Sequence, residues 1–224
     1  MNLKSTENFF ILGLFLAVLG LISALLLGAF SNLVKEPIRA AELRNTNLAL
    51  TQILPSFDNQ PSRDKITVKD GDATFTFMGA VKDGKLVALA ASGSHKGYGG
   101  PVQALIGFNL DGAIRAILIT KQNETPGLGA NVCARKFKKT IFNLFQPRPK
   151  GLAPNRILDQ FDGKIAKKGV QWKVQKDGGD IEYVTGATVT SRAITALTDA
   201  VAHCYLAHRG EIIAKLSPAP VKGK

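Results

Sequence analysis

Residues 9–30 read FFILGLFLAVLGLISALLLGAF, twenty-two positions without a charge and apolar on every side. At about 1.5 Å per residue this stretch is roughly 33 Å long as a helix, enough to cross a bilayer core of about 30 Å. The pattern predicts a single transmembrane helix over 9–30, after an N-terminal tail of residues 1–8. A cleaved signal peptide is the other reading. Its apolar stretch is usually only about 7–15 residues long, however, and no A-x-A site follows here. Beyond the span, Pro37 can open a helix at its first turn, and Ile38–Leu54 holds no glycine or proline before Pro55. Residues 31–60 therefore read as a helical connector, ending in a polar loop at 59–63.

The pattern then changes to short strand-like runs. Ala73–Val81 and Lys85–Ser92 flank Lys82-Asp83-Gly84, and Val102–Leu110 and Ala113–Thr120 flank Asp111-Gly112. Asp-Gly between two such runs is a strong tight-turn signal, so two hairpins are expected. A glycine-rich loop around Tyr98 (92–101, SGSHKGYGGP) separates them, and QNETPGLG (122–129) forms another turn. Helical spacing returns over Asn131–Phe145, with Val132, Phe137, Ile141 and Leu144/Phe145 on one stripe. It is clearest over Ser191–Ala207, where Ile194, Leu197, Val201, Cys204 and Tyr205 share a face and Thr190 or Ser191 is a natural N-cap. Val170–Val174, with Trp172, reads as a short strand, its tryptophan either a core side chain, the preferred reading, or stacked on a bound ring. Strands followed by helices, without steady alternation, give an α+β fold. One domain of antiparallel hairpins and helices spans 61–210, followed by a flexible basic tail at 211–224.

Charge adds an asymmetry. The net charge is +12, and twelve Lys or Arg face only Asp159 and Asp162 between Arg135 and Lys176. Such a run is by default a solvated face; anionic lipid or an acidic partner are the functional readings. No nucleic-acid motif and no basic–aromatic interleaving accompany it, so nucleic acid is not an expected partner. Around the span, Lys4 precedes it while Lys35, Arg39 and Arg44 follow, and a literal count of these charges leaves the large domain in the cytoplasm. Cys133 and Cys204 could pair or stay as buried thiols. The three histidines form no zinc pattern, so no metal is expected.

The run Thr185-Gly-Ala-Thr188-Val-Thr-Ser191 carries the chemistry. It leaves a loop and enters a helix, where unpaired amides and the positive end of the dipole favour a phosphate. Gly186 and Ala187 let the backbone approach a ligand closely. A ligand-free glycine turn before a Thr/Ser cap is the simpler alternative. The run is no P-loop and no dinucleotide fingerprint, and the chain lacks GxSxG.

Thr185-Gly-Ala-Thr188-Val-Thr190 resembles the S/T-G-A-T-x-T motif of the covalent FMN-binding domain found in the RnfG/RsxG and NqrC subunits of ion-motive electron-transport complexes. Gly97-Tyr98-Gly99-Gly100, Glu124-Thr125-Pro126-Gly127-Leu128-Gly129 and Lys176-Asp177-Gly178-Gly179-Asp180 extend the resemblance over nearly the whole chain, which looks most like RnfG. The resemblance implies FMN linked through its phosphate to Thr188, installed by a flavin transferase, with Thr190 as the fallback acceptor. Glu182 stands where the transferase pattern has Asp. Thr185, Gly186 and Ala187 are then expected around the phosphate, with Lys176 or Arg192 beside it. Thr125, Gly127 and Leu128 are expected beside the flavin ring, Glu124 at a ribityl hydroxyl or capping a turn, and Tyr98 stacked on the ring or buried in the core. With the cofactor doing the redox chemistry, no catalytic side chain is expected. The resemblance further implies a subunit of an Rnf-type ion-translocating ferredoxin:NAD oxidoreductase in the bacterial inner membrane. Its domain is then periplasmic, against the charge count, and other membrane subunits are its partners. The alternatives are an NqrC-type subunit of a sodium-translocating NADH:quinone reductase, or a tethered module binding FMN non-covalently or not at all.

Overall fold

A helix without a polar face has nothing to turn toward water, and the first element of the chain is built that way. The computed structural model describes residues 3–137 and 151–218, and the chain divides into two units, residues 1–45 and 46–224. Helix α1 (Leu3–Ile53) supplies the first unit and the opening of the second. Phe9, Leu14, Leu21 and Leu27 are each more than 60% exposed. This helix is long and apolar enough to cross a membrane. It begins at Leu3, so little of the expected tail 1–8 remains. It also runs through Pro37, where a helix start was expected. The proline forfeits one backbone hydrogen bond, and good helix formers on both sides carry the helix past it.

The second unit is a meander of five antiparallel strands in the order β1-β2-β3-β4-β5. Both expected hairpins are present: β2 (Ala73–Lys82) with β3 (Lys85–Lys96), and β4 (Pro101–Phe108) with β5 (Ile114–Lys121). Asp83 and Gly84 both have positive φ, 50° and 70°, as a two-residue turn matched to strand twist requires. The glycine-rich pattern predicts a long loop at 92–101, but β3 and β4 pair from Leu89↔Phe108 out to Lys96↔Pro101, so only residues 97–100 turn. An edge strand unseen in the pattern, β1 (Lys65–Asp70), pairs with β2 and buries only Val68.

Both faces of the sheet are covered. Phe75, Phe77, Ala91, Val102, Ile106 and Phe108 point to one side and form the main core with helix α3 (Thr188–Leu216). The opposite side is lined by Met78, Ala80, Ala88, Ala90 and Leu105, against Ala49, Leu50 and Ile53 from the end of α1. Small residues let that helix end come close: a Cβ on Gly107 would stand 2.8 Å from the Ile53 carbonyl oxygen. On the α3 side, Tyr205 Oη donates to the Leu110 carbonyl at 2.9 Å, tying the helix to the β4–β5 turn.

Helix α3 carries the expected stripe, with Ile194, Leu197, Val201, Cys204 and Tyr205 all buried. Its bounds differ from expectation at both ends. It starts at Thr188, so Thr190 and Ser191 lie inside its first turn and neither is the N-cap. It continues to Leu216, with Ile212 and Leu216 buried, so the chain is not a loose tail from 211; residues 219–224 lie outside the described residues.

Of the expected helix over 131–145, residues 134–137 are not helical. Helix α2 (Gly129–Cys133) ends at Ala134, which is extended. The carbonyls of Val132 and Ala134 both accept from Asn155 Nδ2 at 2.9 Å, which terminates the helix with a side chain from a later loop. Arg135 is pulled inward: its guanidinium donates to the carbonyls of Ile117 and Ala153 and pairs with Asp159 at 2.6 Å. At 5% side-chain exposure it does not belong to a solvated basic face. Ile141, Leu144 and Phe145 lie outside the described residues. Val170–Val174 is not a strand; Val174 makes a single isolated bridge to Ile181. Trp172 is partly buried against the core beside Phe161, as expected of a core side chain.

Candidate functional site

The turn Val184–Ala187 delivers the chain into α3. Ala187 N–H donates to the Val184 carbonyl at 2.9 Å, and Gly186 takes φ +85°, a conformation that suits glycine. Ser191, fully buried, accepts from Val184 N–H at 3.3 Å and donates to the Ala187 carbonyl at 3.1 Å, locking the turn onto the helix. No side chain among the described residues caps the helix. The amides of its first turn and the positive dipole end are left for an anion.

This helix start opens on a cleft of about 430 Å³, within the usual range of roughly 300–1,000 Å³ for small-molecule sites. Thr188, Gly186, Ala187 and Thr190 line it from the helix side. Tyr98, Glu124, Thr125 and Leu128 line it from the two glycine-rich turns. Tyr98 is 73% exposed, which removes the buried-core alternative for it. Val189 and Gly129 complete the lining and were not singled out in the sequence; both follow from the helix start and the tight turn once these meet. Gly186 stands against Leu128, whose Cδ2 is 3.4 Å from the position of a Cβ on that glycine.

Three expected residues lie elsewhere. Thr185 lines a neighbouring cleft of about 520 Å³ with Asn131, Lys136, Arg156 and Tyr183. Gly127, at φ +82°, shapes the turn, and its carbonyl accepts from Asn131 Nδ2. Lys176 sits exposed on a short 3-10 turn, Gln175–Asp177, and lines neither cleft. Arg192 forms a bidentate pair with Asp177, whose carboxyl is held below the usual range by that hydrogen bond. Glu182 accepts from Arg156 Nε at 2.6 Å, and Asp180 pairs with Lys164 at 2.9 Å.

The hydroxyls of the run are sorted by depth. Thr190 is 1% exposed and donates to Glu124 Oε2 at 2.6 Å. Thr188 is only half-buried, at the cleft wall. Glu124, 5% exposed, also accepts from Gly99 N–H at 3.2 Å, while its own N–H donates to Gln122 Oε1. Neither cysteine is a nucleophile at neutral pH: both are free and buried. Burial, with Glu124 adding, pushes the Cys133 thiol up to about 12, and burial, with Asp70 adding, pushes that of Cys204 up to about 11.

A meander sheet packed against one long helix, whose uncapped start opens on a cleft, has the make-up of a small-ligand-binding domain. The FMN-binding domain family matches residues 97–203, a span holding every residue of the cleft. The G subunit of an ion-translocating oxidoreductase complex from Cereibacter sphaeroides is 29% identical over 92% of this chain and 88% of its own. The G subunit of the Na(+)-translocating ferredoxin:NAD(+) oxidoreductase complex from Acetobacterium woodii is 30% identical over 84% of this chain and 86% of its own. Among solved structures, the C subunit of a Na(+)-translocating NADH-quinone reductase from Parabacteroides distasonis is 20% identical, covers 75% of this chain and 94% of its own, and has a TM-score of 0.48. The chain belongs to the family of G subunits of ion-translocating oxidoreductase complexes, and is a redox subunit with an FMN-binding domain.

Proposed function

We propose that this chain is an electron carrier anchored in a bacterial inner membrane by residues 9–30, with FMN held as a phosphoester on Thr188. The domain lies on the periplasmic side, within an Rnf-type complex that moves electrons between ferredoxin and NAD and pumps ions. A flavin transferase installs the cofactor. The observation that carries this reading is the sorting of hydroxyls at the start of α3: Thr188 stands at the cleft wall and Thr190 is committed to a buried carboxylate.

The lining suits FMN. The first-turn amides of α3 offer donors to a phosphate, and Gly186 and Ala187 leave the backbone accessible beside it. Leu128, Val189 and Tyr98 supply apolar and aromatic surface for a planar ring. When bound, the flavin supplies the electron transfer. The chain's own residues bind and orient it, which accounts for a cleft without an acid–base pair. Gly127 shapes the turn that carries Thr125 and Leu128 to the cleft, Thr185 begins the run, and Lys176 lies outside the cleft.

Denaturing electrophoresis under ultraviolet light tests the reading. Full-length chain made alongside the flavin transferase gives a fluorescent band, and Thr188→Ala abolishes it; a dark wild-type band overturns the covalent assignment. Protease protection in sealed inside-out vesicles checks the orientation, with the domain expected to resist digestion until detergent is added.

A further inference from the structure

The carboxylate of Glu124 occupies a nest of glycines. A Cβ on Gly97 would overlap its Oε1, and one on Gly129 would stand 2.6 Å from Oε2 and 2.5 Å from Thr190 Oγ1. Gly99 brings its N–H to Oε1 at 3.2 Å, and any Cβ there would overlap the Asn123 carbonyl oxygen. Gly97 and Gly129, from two separate turns, thus keep space for one carboxylate, and Gly99 lets the backbone come close enough to donate to it. That carboxylate spends its second oxygen on Thr190.

A buried charge is tolerated only with strong donors around it. The two donors and the positive end of α3 provide them, and in return the Thr190 hydroxyl is fixed. At ~100° per residue, positions 188 and 190 point about 200° apart around a helix. Thr190 is turned to the interior, while Thr188 stands half-buried at the wall of the cleft that both line. The pair therefore decides which hydroxyl is held.

We propose that Glu124 is a positioning residue that selects the flavin acceptor, sequestering Thr190 so that the phosphoester forms on Thr188 alone. This rests on the covalent reading given above. In the step it governs, the threonine Oγ–P bond forms as the phosphoanhydride of a flavin dinucleotide donor breaks. The hydroxyl proton goes to the transferase, and the nucleoside monophosphate leaves. Glu124 touches none of the reacting atoms.

The test maps flavin-bearing peptides by mass spectrometry in full-length protein produced with the transferase and purified in detergent. Wild type carries flavin on Thr188, and Thr188→Ala carries none. Adding Glu124→Ala to Thr188→Ala brings flavin onto Thr190, at least about tenfold above the detection background, as loss of a charge-assisted hydrogen bond predicts. Glu124→Gln in the same background stays dark, because its amide still accepts from Gly99 N–H and donates to Thr190. Gly129→Ala breaks the pair by another route, retaining the carboxylate, and gives the same gain on Thr190; thermal melting confirms that each variant folds. A dark wild type refutes the covalent reading itself. A wild type modified on Thr188, with Thr190 dark in folded Glu124→Ala and Gly129→Ala variants, refutes only the selector role. Flavin on Thr190 in Thr188→Ala or in its Glu124→Gln derivative refutes it as well.

Discussion

Asn155 and Glu124 are both nearly sealed from solvent, at 8% and 5% exposure, and each gathers a polar network around itself. The Asn155 network closes on the backbone. Its Nδ2 donates to the carbonyls of Val132 and Ala134, and its Oδ1 accepts from the amides of Ile157 and Leu158. Its neighbour Arg135 binds two further carbonyls and Asp159. The Glu124 network instead reaches a side-chain hydroxyl at the edge of a cleft. A network that ends on carbonyls and amides fixes the path of the chain. One that ends on a side-chain hydroxyl holds that hydroxyl in place.

That contrast can be broken most strongly at Asn155. Asn155→Ala leaves two carbonyls and two amides without partners in the interior, and is expected to cost about 3–4 kcal/mol of stability. Urea unfolding of the detergent-solubilised chain measures it, and flavin is expected to stay on Thr188 in the folded fraction. A loss below ~1 kcal/mol would mean that the loop holds its path by other means. Thr190→Val removes the donor from a buried carboxylate and is expected to cost about 2 kcal/mol, again with flavin on Thr188.

Asp162 gives a smaller effect of opposite sign. Burial pushes its carboxyl up, neighbouring Asp159 adds to the shift, and Arg135 opposes it. A carboxylate whose folded value is raised favours the folded state only while protonated, and that gain is lost as pH rises through the folded value. Asp162→Asn should therefore stabilise at neutral pH, by less than about 1 kcal/mol because the group is only partly desolvated and solvent still reaches it. The gain should vanish as the pH falls below the ordinary carboxylate range. Melting curves at several pH values check the direction. The smallest change is expected at Tyr98, which is exposed: Tyr98→Ala should leave stability within ~0.5 kcal/mol. The visible spectrum of the bound flavin should shift, and an unchanged spectrum would remove Tyr98 from the ring's surroundings.

Much of this molecule was legible before its fold was known, and the illegible parts share a cause. The Asp83-Gly84 turn is local, because both residues must take positive φ and few others do so cheaply. The edge strand β1 was missed because KITVKD buries one side chain and is held mainly by backbone pairing to β2. Helical spacing beyond Cys133 was real, yet Asn155 takes the carbonyls at the helix end from more than twenty positions away. Lys176 and Arg192 looked suited to a phosphate by charge alone, but Asp177 claims Arg192 and Lys176 lies outside the cleft. Proximity in sequence is a weak guide where side chains can reach several partners.

The sequence by itself determined the apolar helix, the two Asp-Gly hairpins and the Thr185–Ser191 corner. Each depends on conformational preferences and periodicities within a few residues, which any reading of the chain exposes. Only the tertiary structure decided that Thr190 is spent on Glu124, 66 positions earlier, leaving Thr188 at the cleft wall. A hydrogen bond between residues so far apart leaves no spacing to read, and it arises only when the sheet brings the glycine turns of residues 97–100 and 122–129 against the start of α3.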